Sequence, residues 1–180
     1  FLYNTLDMIN WLSQTGQSEK VTEAVQILSR FYKLTLSRRE LMNSIEKELE
    51  HVSLYVRLQN MRYDNCVVFV VDVPEELCEY TIPKLTFQPI VENAIKYSLL
   101  ESEHVFIQIY VVEFDGYAIV EIKDNGCGVT EEAVALVRSR IETFYRDHGS
   151  QEITDNLQFG GMGLSGTLIR LSIFFGEGFS

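Results

Sequence analysis

The chain has 180 residues, 46% of them hydrophobic, and a formal net charge of −11. That is apolar material for one domain, or one domain with a helical extension. The acidic balance excludes a broad nucleic-acid surface, which needs clustered Lys and Arg, but leaves a nucleotide open, because a bound Mg²⁺ brings its own charge.

Residues 1–63 read as helices. Leu2, Leu6, Ile9 and Leu12 recur every three or four positions, as do Val21, Val25, Leu28 and Tyr32, and then Leu41, Ile45, Leu49, Val52 and Val56. Gly16 and Ser18 punctuate the first gap, and Glu46, Lys47, Glu48 and Glu50 are expected on the outer face of the third helix. Apolar stripes on several helices point to a bundle or a dimer seam.

Residues 64–180 read as α+β. The Val-rich run 66–73 predicts a strand, 83–99 a helix, and 104–112 and 117–124 two more strands joined by Phe114-Asp115-Gly116, a turn short enough to require an antiparallel hairpin. Thr130 is expected to N-cap a helix over 130–145, with Glu131 and Glu132 in its first turn. A polar irregular stretch, 148–159, precedes a last helix over 163–174. Cys66, Cys78 and Cys127 are widely spaced, with no C-x-x-C pair, and read as free thiols. No apolar run reaches the roughly 20 residues of a spanning helix. Both ends read as cut from a longer protein.

Three segments carry chemistry. In 117–124, Asp124 continues the apolar row Ala118, Val120, Ile122, where a carboxylate is costly unless it accepts hydrogen bonds. Gly126 and Gly128 follow, so a flat ligand with N–H donors has room to approach; Asp-Asn-Gly is equally a common turn sequence. In Glu92-Asn93-Ala94-Ile95-Lys96-Tyr97, Asn93, Lys96 and Tyr97 fall on one polar helix face, offering an oxygen for a hard cation, an ammonium for phosphate and a ring for stacking; the alternative is a face that meets only water. In Gly160-Gly161-Met162-Gly163-Leu164, glycines open a helix whose N–H groups suit phosphate, or form a hinge. The order of the three is more specific than any one of them.

Glu92 to Tyr97 resembles the N box of histidine kinases, Asp124 to Gly128 the G1 box, and Gly161-Met162-Gly163-Leu164 the G2 box. Phe1-Leu2-Tyr3-Asn4-Thr5-Leu6, and Glu48-Leu49-Glu50-His51 with Tyr55, Gln59 and Arg62, are similar to the dimerisation segment and connecting helix of LytS/YesM-type sensor kinases. The resemblance implies a Bergerat-type α/β sandwich (a mixed sheet with helices on one face) over 64–180, a helical dimerisation segment over 1–63, an ATP lid over about 129–160, and a C-terminal strand pair lying beyond this chain.

It also implies roles. Asp124 accepts the adenine amino group, with room from Gly126 and Gly128. Asn93 holds Mg²⁺ against the phosphates, Lys96 contacts phosphate, Tyr97 lines the base or ribose, and Gly161, Gly163 and Leu164 close the lid end onto the phosphates. Glu92 orients the helix or takes a proton from the incoming imidazole. The phospho-accepting His is expected immediately before Phe1, so this chain is expected not to label itself. His51, His104 and His148 match no acceptor motif. Asn4, four positions after the expected acceptor, is by analogy a phosphatase residue. Pro89 stands where gyrase-type ATPases carry the water-activating Glu. The implied protein is a homodimeric, membrane-anchored sensor histidine kinase, with this portion on the cytoplasmic side of a bacterial membrane. It uses ATP and Mg²⁺ and passes phosphoryl to a response-regulator receiver domain. The alternatives are a non-catalytic nucleotide-binding dimerisation module and a self-contained ATPase of the gyrase and chaperone type.

Overall fold

A computed structural model describes residues 1–36, 41–147 and 163–176. Two helices, α1 (Leu2–Gln14) and α2 (Ser18–Thr35), form a hairpin on α3 (Ile45–Arg62). Strand β1 (Met42–Ser44) precedes α3; β2 (Val67–Asp72), a 3-10 turn (Glu75–Leu77), β3 (Thr81–Pro83) and α4 (Phe87–Ser98) follow it. The chain continues through β4 (Val105–Phe114), β5 (Tyr117–Asp124), α5 (Glu131–Asp147) and α6 (Leu164–Phe175).

The main sheet has the order β2-β4-β5, with β2 parallel and β5 antiparallel to β4. The mixed sheet follows from its connections. A crossover through α4 brings β4 in parallel to β2, whereas Asp115 and Gly116, at φ 52° and 79°, make the tight turn that sends β5 straight back. One face carries Val105, Ile107, Ile109 and Val111, all buried under α4, with half-buried Ala118, Val120 and Ile122 beside them. The other face is open and apolar, with Val68, Phe106, Tyr117 and Ile119 exposed.

Several expectations are corrected. The third helix starts at Ile45, not Leu41, because Met42–Ser44 pairs antiparallel with Thr81–Pro83. Ser44 then caps α3 by accepting from the Lys47 amide at 3.3 Å. The β1–β3 pairing joins segments from either side of 63/64, which share a β-ribbon as well as a core. The α4 helix starts at Phe87 rather than Pro83, since Pro83 ends β3 and Leu85 turns the chain at φ 60°. Within α1 the core row is Thr5, Met8 and Leu12, and within α2 it is Ala24, Ile27 and Phe31; Leu2, Leu6 and Val25 are exposed. The predicted stripes are wider than what one hairpin covers. Glu48 is not on an outer face: it is completely buried.

The three cysteines are free thiols. His51 is structural, 2% exposed, stacked on Phe31 at 4.3 Å with Nε2 against the Thr35 hydroxyl at 2.8 Å. Among the described residues no helix is long and apolar enough to cross a membrane.

Candidate functional site

The α4 helix exists because its apolar residues recur at helical spacing and bury against the sheet: Val91, Ala94 and Ile95 are buried. Pro89 sits in the first turn, where its missing N–H is one that no helix residue would satisfy. That orientation leaves Glu92 and Asn93 half-buried and Lys96 and Tyr97 exposed. Lys96 Nζ lies 5.2 Å from the centre of the Tyr97 ring, so the two form a cation–aromatic pair.

The buried row of α4 ends in a polar residue, Ser98. Its hydroxyl is buried and has no hydrogen-bond partner, a position that normally costs stability. It faces the end of β5. A Cβ placed on Gly126 would lie 2.9 Å from Ser98 Oγ and 2.8 Å from Asp124 Oδ1. Ser98, Asp124 and Gly126 therefore enclose a small polar recess between the C-terminal end of α4 and the loop after β5. Sequence reasoning missed Ser98; a Ser terminating the row Val91, Ala94, Ile95 was the available signal.

Asp124 shares the core-facing side of β5 with Ile122, as its alternation predicts, yet it is exposed rather than sunk among apolar side chains. The reason is geometric: the strand outruns the helix that covers it, since α4 ends at Ser98. Its Oδ1 accepts from the Gly126 amide at 2.8 Å. Asn125 fixes the loop to β4: its Oδ1 accepts from the Phe106 amide at 2.8 Å and its Nδ2 donates to the His104 carbonyl at 3.0 Å. The side chain thus continues the ladder one step past the strand. Gly128 adopts φ 78° in open space, a conformation that suits glycine.

Thr130 caps α5 as expected, accepting from the Ala133 amide at 3.2 Å. Of the expected lid, 148–160 lies outside the described residues, as do Gly161 and His148. Gly163 is the N-cap of α6 and accepts from the Thr167 amide at 3.1 Å; Leu164 is its first residue and half-buried. α6 packs against α4, α5 and β3, so it lies in one layer with the helix that carries Asn93 and Lys96. Asn4 is exposed in the first turn of α1, in the helical hairpin.

Glu92 looks back toward α3. Burial pushes the Tyr55 phenol well above its ordinary pKa, and the negative charge of Glu92 adds to that. Tyr55 in turn packs on Phe1, ring centres 5.1 Å apart.

Residues 1–67 match the family described as histidine kinase, and residues 80–173 match the histidine kinase-, DNA gyrase B- and HSP90-like ATPases. The chain belongs to the histidine kinases. This kinase chain is 29% identical to the sensor histidine kinase YesM of Bacillus subtilis (strain 168), over 98% of its own length and 27% of the relative's. It is 26% identical to the sensor protein LytS of Bacillus anthracis, over 99% of its length and 30% of that protein's. It is 33% identical to the sensor histidine kinase BtsS of Escherichia coli (strain K12), over 69% and 22%. It spans under a third of the length of these curated relatives. The ATPase match covers the recess, α4 and α6, and implies ATP binding by that half of the kinase chain.

Proposed function

We propose that the recess formed by Asp124, Gly126 and Ser98 receives the adenine of ATP, and that the intact protein transfers the γ-phosphoryl group to a histidine. The observation that carries the reading is the unpartnered Ser98 hydroxyl beside a carboxylate, over a glycine where a Cβ would collide with both. These groups fit an adenine edge. Asp124 accepts from the exocyclic amine, Ser98 supplies a second hydrogen-bonding group, and Gly126 leaves the plane of the base free. Tyr97 and Lys96 extend the site along α4 toward the ribose and phosphates; the N-terminus of α6, at Gly163 and Leu164, suits the phosphate end, and Gly161 is assigned to the phosphates by its sequence motif alone. Asn93 is the residue to hold Mg²⁺; when bound, that ion neutralises charge between the phosphates.

Transfer forms a bond from an imidazole nitrogen to the γ-phosphorus and breaks the bond to the β–γ bridging oxygen, releasing ADP; the imidazole proton leaves. Glu92 suits that proton, because its charge acts on Tyr55, which packs on Phe1, the residue expected to follow the acceptor. The chain's own residues otherwise position and neutralise. Hydrolysis is disfavoured, since Pro89 offers no base where a water-activating carboxylate would stand. The phosphoryl group then passes to an aspartate of a response-regulator receiver domain, with Asn4 placed to take part in the reverse, dephosphorylating step.

Exposed Leu2, Leu6 and Trp11 on α1 support a homodimer through the helical segment, with residues 1–63 as the dimerising unit and 64–180 as the nucleotide-binding unit, lid about 129–160. In the whole protein this portion lies on the cytoplasmic side of the membrane. The test is a chain extended upstream of Phe1 to include the expected acceptor histidine and incubated with labelled ATP. Acid-labile label is expected on that histidine, lost in Asn93→Ala and in Asp124→Ala; label that persists in both variants refutes the site.

A further inference from the structure

The segment Lys84-Leu85-Thr86, which leads into α4, is held from two sides. From α3, buried Glu48 accepts from the Leu85 amide at 2.9 Å and the Thr86 amide at 2.8 Å, and from Asn43 Nδ2 at 2.7 Å. From α6, Arg170 donates to the Lys84 carbonyl at 3.1 Å and the Leu85 carbonyl at 2.8 Å. Between them Leu85 is held at φ 60°, a left-handed conformation that a leucine keeps only where its surroundings impose it. Burial lowers the pKa of the Arg170 guanidinium and the Glu48 charge opposes that, so the two sense each other across the loop.

We propose that Glu48 and Arg170 are positioning residues that clamp the start of α4 to the helical segment and to α6, and so set the separation of the groups assigned to the phosphates. The clamp rests on the nucleotide site proposed above, because it acts on that site's far end. Three elements meet at one tripeptide: the helix that carries the dimerising segment's core, the helix that carries Asn93 and Lys96, and the helix that Gly163 opens. α2 is packed on α3 next to Glu48: buried Phe31 stacks on His51 at 4.3 Å, and the Thr35 hydroxyl meets His51 Nε2 at 2.8 Å. A shift of the α1–α2 hairpin therefore reaches Glu48 through α3, and the strained Leu85 turn is the point at which α4 is released or held. Of the recess only Ser98 is carried by α4, in its last turn; Asp124 and Gly126 stand at the end of β5 and in the loop after it, outside the clamp.

The variants are Glu48→Gln, which turns an amide donor toward backbone N–H groups, and Arg170→Lys, which keeps the charge but not the two-pronged contact. Each is compared with the full chain by hydrogen exchange without nucleotide, and by calorimetric titration with MgATP, MgADP and adenosine. Both variants are expected to accelerate exchange at the first hydrogen-bonded amides of α4, from Ile90 on, and in α6 together, by about tenfold or more for loss of a charged hydrogen bond. MgATP affinity is expected to fall by a similar factor, while adenosine affinity holds within about twofold, a split that mere loss of stability would not produce. Exchange changed only at residues 84–86, or ATP and adenosine weakened equally in variants that melt as the parent does, overturns the clamp. If Glu48→Gln does not fold, Arg170→Lys decides by the same criteria. If the parent chain binds none of the three ligands, the nucleotide reading fails by itself, and coupled exchange between α4 and α6 still decides the clamp.

Discussion

Replacing Gly126 with alanine isolates the recess proposed for adenine. The new Cβ would stand 2.8 Å from Asp124 Oδ1 and 2.9 Å from Ser98 Oγ, closer than carbon and oxygen approach without bonding. Ser98 cannot give way: its hydroxyl is buried, and its Cα is 3.9 Å from the same point. Asp124 is exposed, so its carboxylate swings out and leaves the Gly126 amide. The loop must also back away from Ser98 Oγ, so the fold loses one exposed hydrogen bond and takes on overpacking strain, about 1–3 kcal/mol together. On the proposed reading the adenine amine loses a charged acceptor worth about 1.5–3 kcal/mol, or roughly 10- to 150-fold in affinity. Calorimetric titration with adenosine and with MgADP measures the affinities, and thermal melting supplies the control. Ser98→Ala is the companion variant: it removes a hydroxyl that the fold leaves unpartnered, so the melt holds or rises while adenosine weakens. Gly128→Ala gives the contrasting pattern. At φ 78° with open space around it, an added methyl strains the backbone by about 1–2 kcal/mol and touches neither Asp124 nor Ser98. Adenosine binding by Gly126→Ala within twofold of the parent would refute the recess.

His51 makes the fold sensitive to acid. Burial, then the positive charge of Lys84, lower its pKa from 6.5 to about 4, against a smaller opposing pull from Glu50; Nδ1 is buried with no partner. The unfolded chain therefore takes up a proton that the fold refuses, so this stability is complete above pH 6.5 and is lost as pH falls toward 4, by up to about 3 kcal/mol. Urea unfolding at pH 7 and pH 4.5 should show the loss, and His51→Phe, which keeps the stack on Phe31, should reduce the slope; an unchanged slope rejects the assignment. Asn60 bonds both the amide and the carbonyl of Val67, each at 2.8 Å. Asn60→Ala leaves both groups without their partner at the start of β2 and should cost about 2–4 kcal/mol in chemical unfolding; a loss below about 1 kcal/mol would show that water replaces the side chain.

The sequence by itself determined the elements and the chemistry-bearing positions. The spacing of Val91, Ala94 and Ile95 fixed which side of α4 is buried, and hence that Lys96 and Tyr97 face outward, with Asn93 half-buried at the edge of that face. The alternation of 117–124 put Asp124 on the core side, and Phe114-Asp115-Gly116 required the hairpin. These are local properties, set by the periods of helix and strand and by the few residues that tolerate φ above zero. What lay beyond sequence is what depends on where one element stops against another. Asp124 is exposed because α4 is shorter than the strand it covers, and Ser98 matters because the same helix end brings it to Gly126. Glu48 shows the limit most plainly. Among Glu46, Lys47 and Glu50 it reads as one more solvated charge, yet its carboxylate is buried against two amides 37 and 38 positions away in the chain. A carboxylate goes inside only where donors already converge, and that convergence is a property of three packed elements, written in none of them singly.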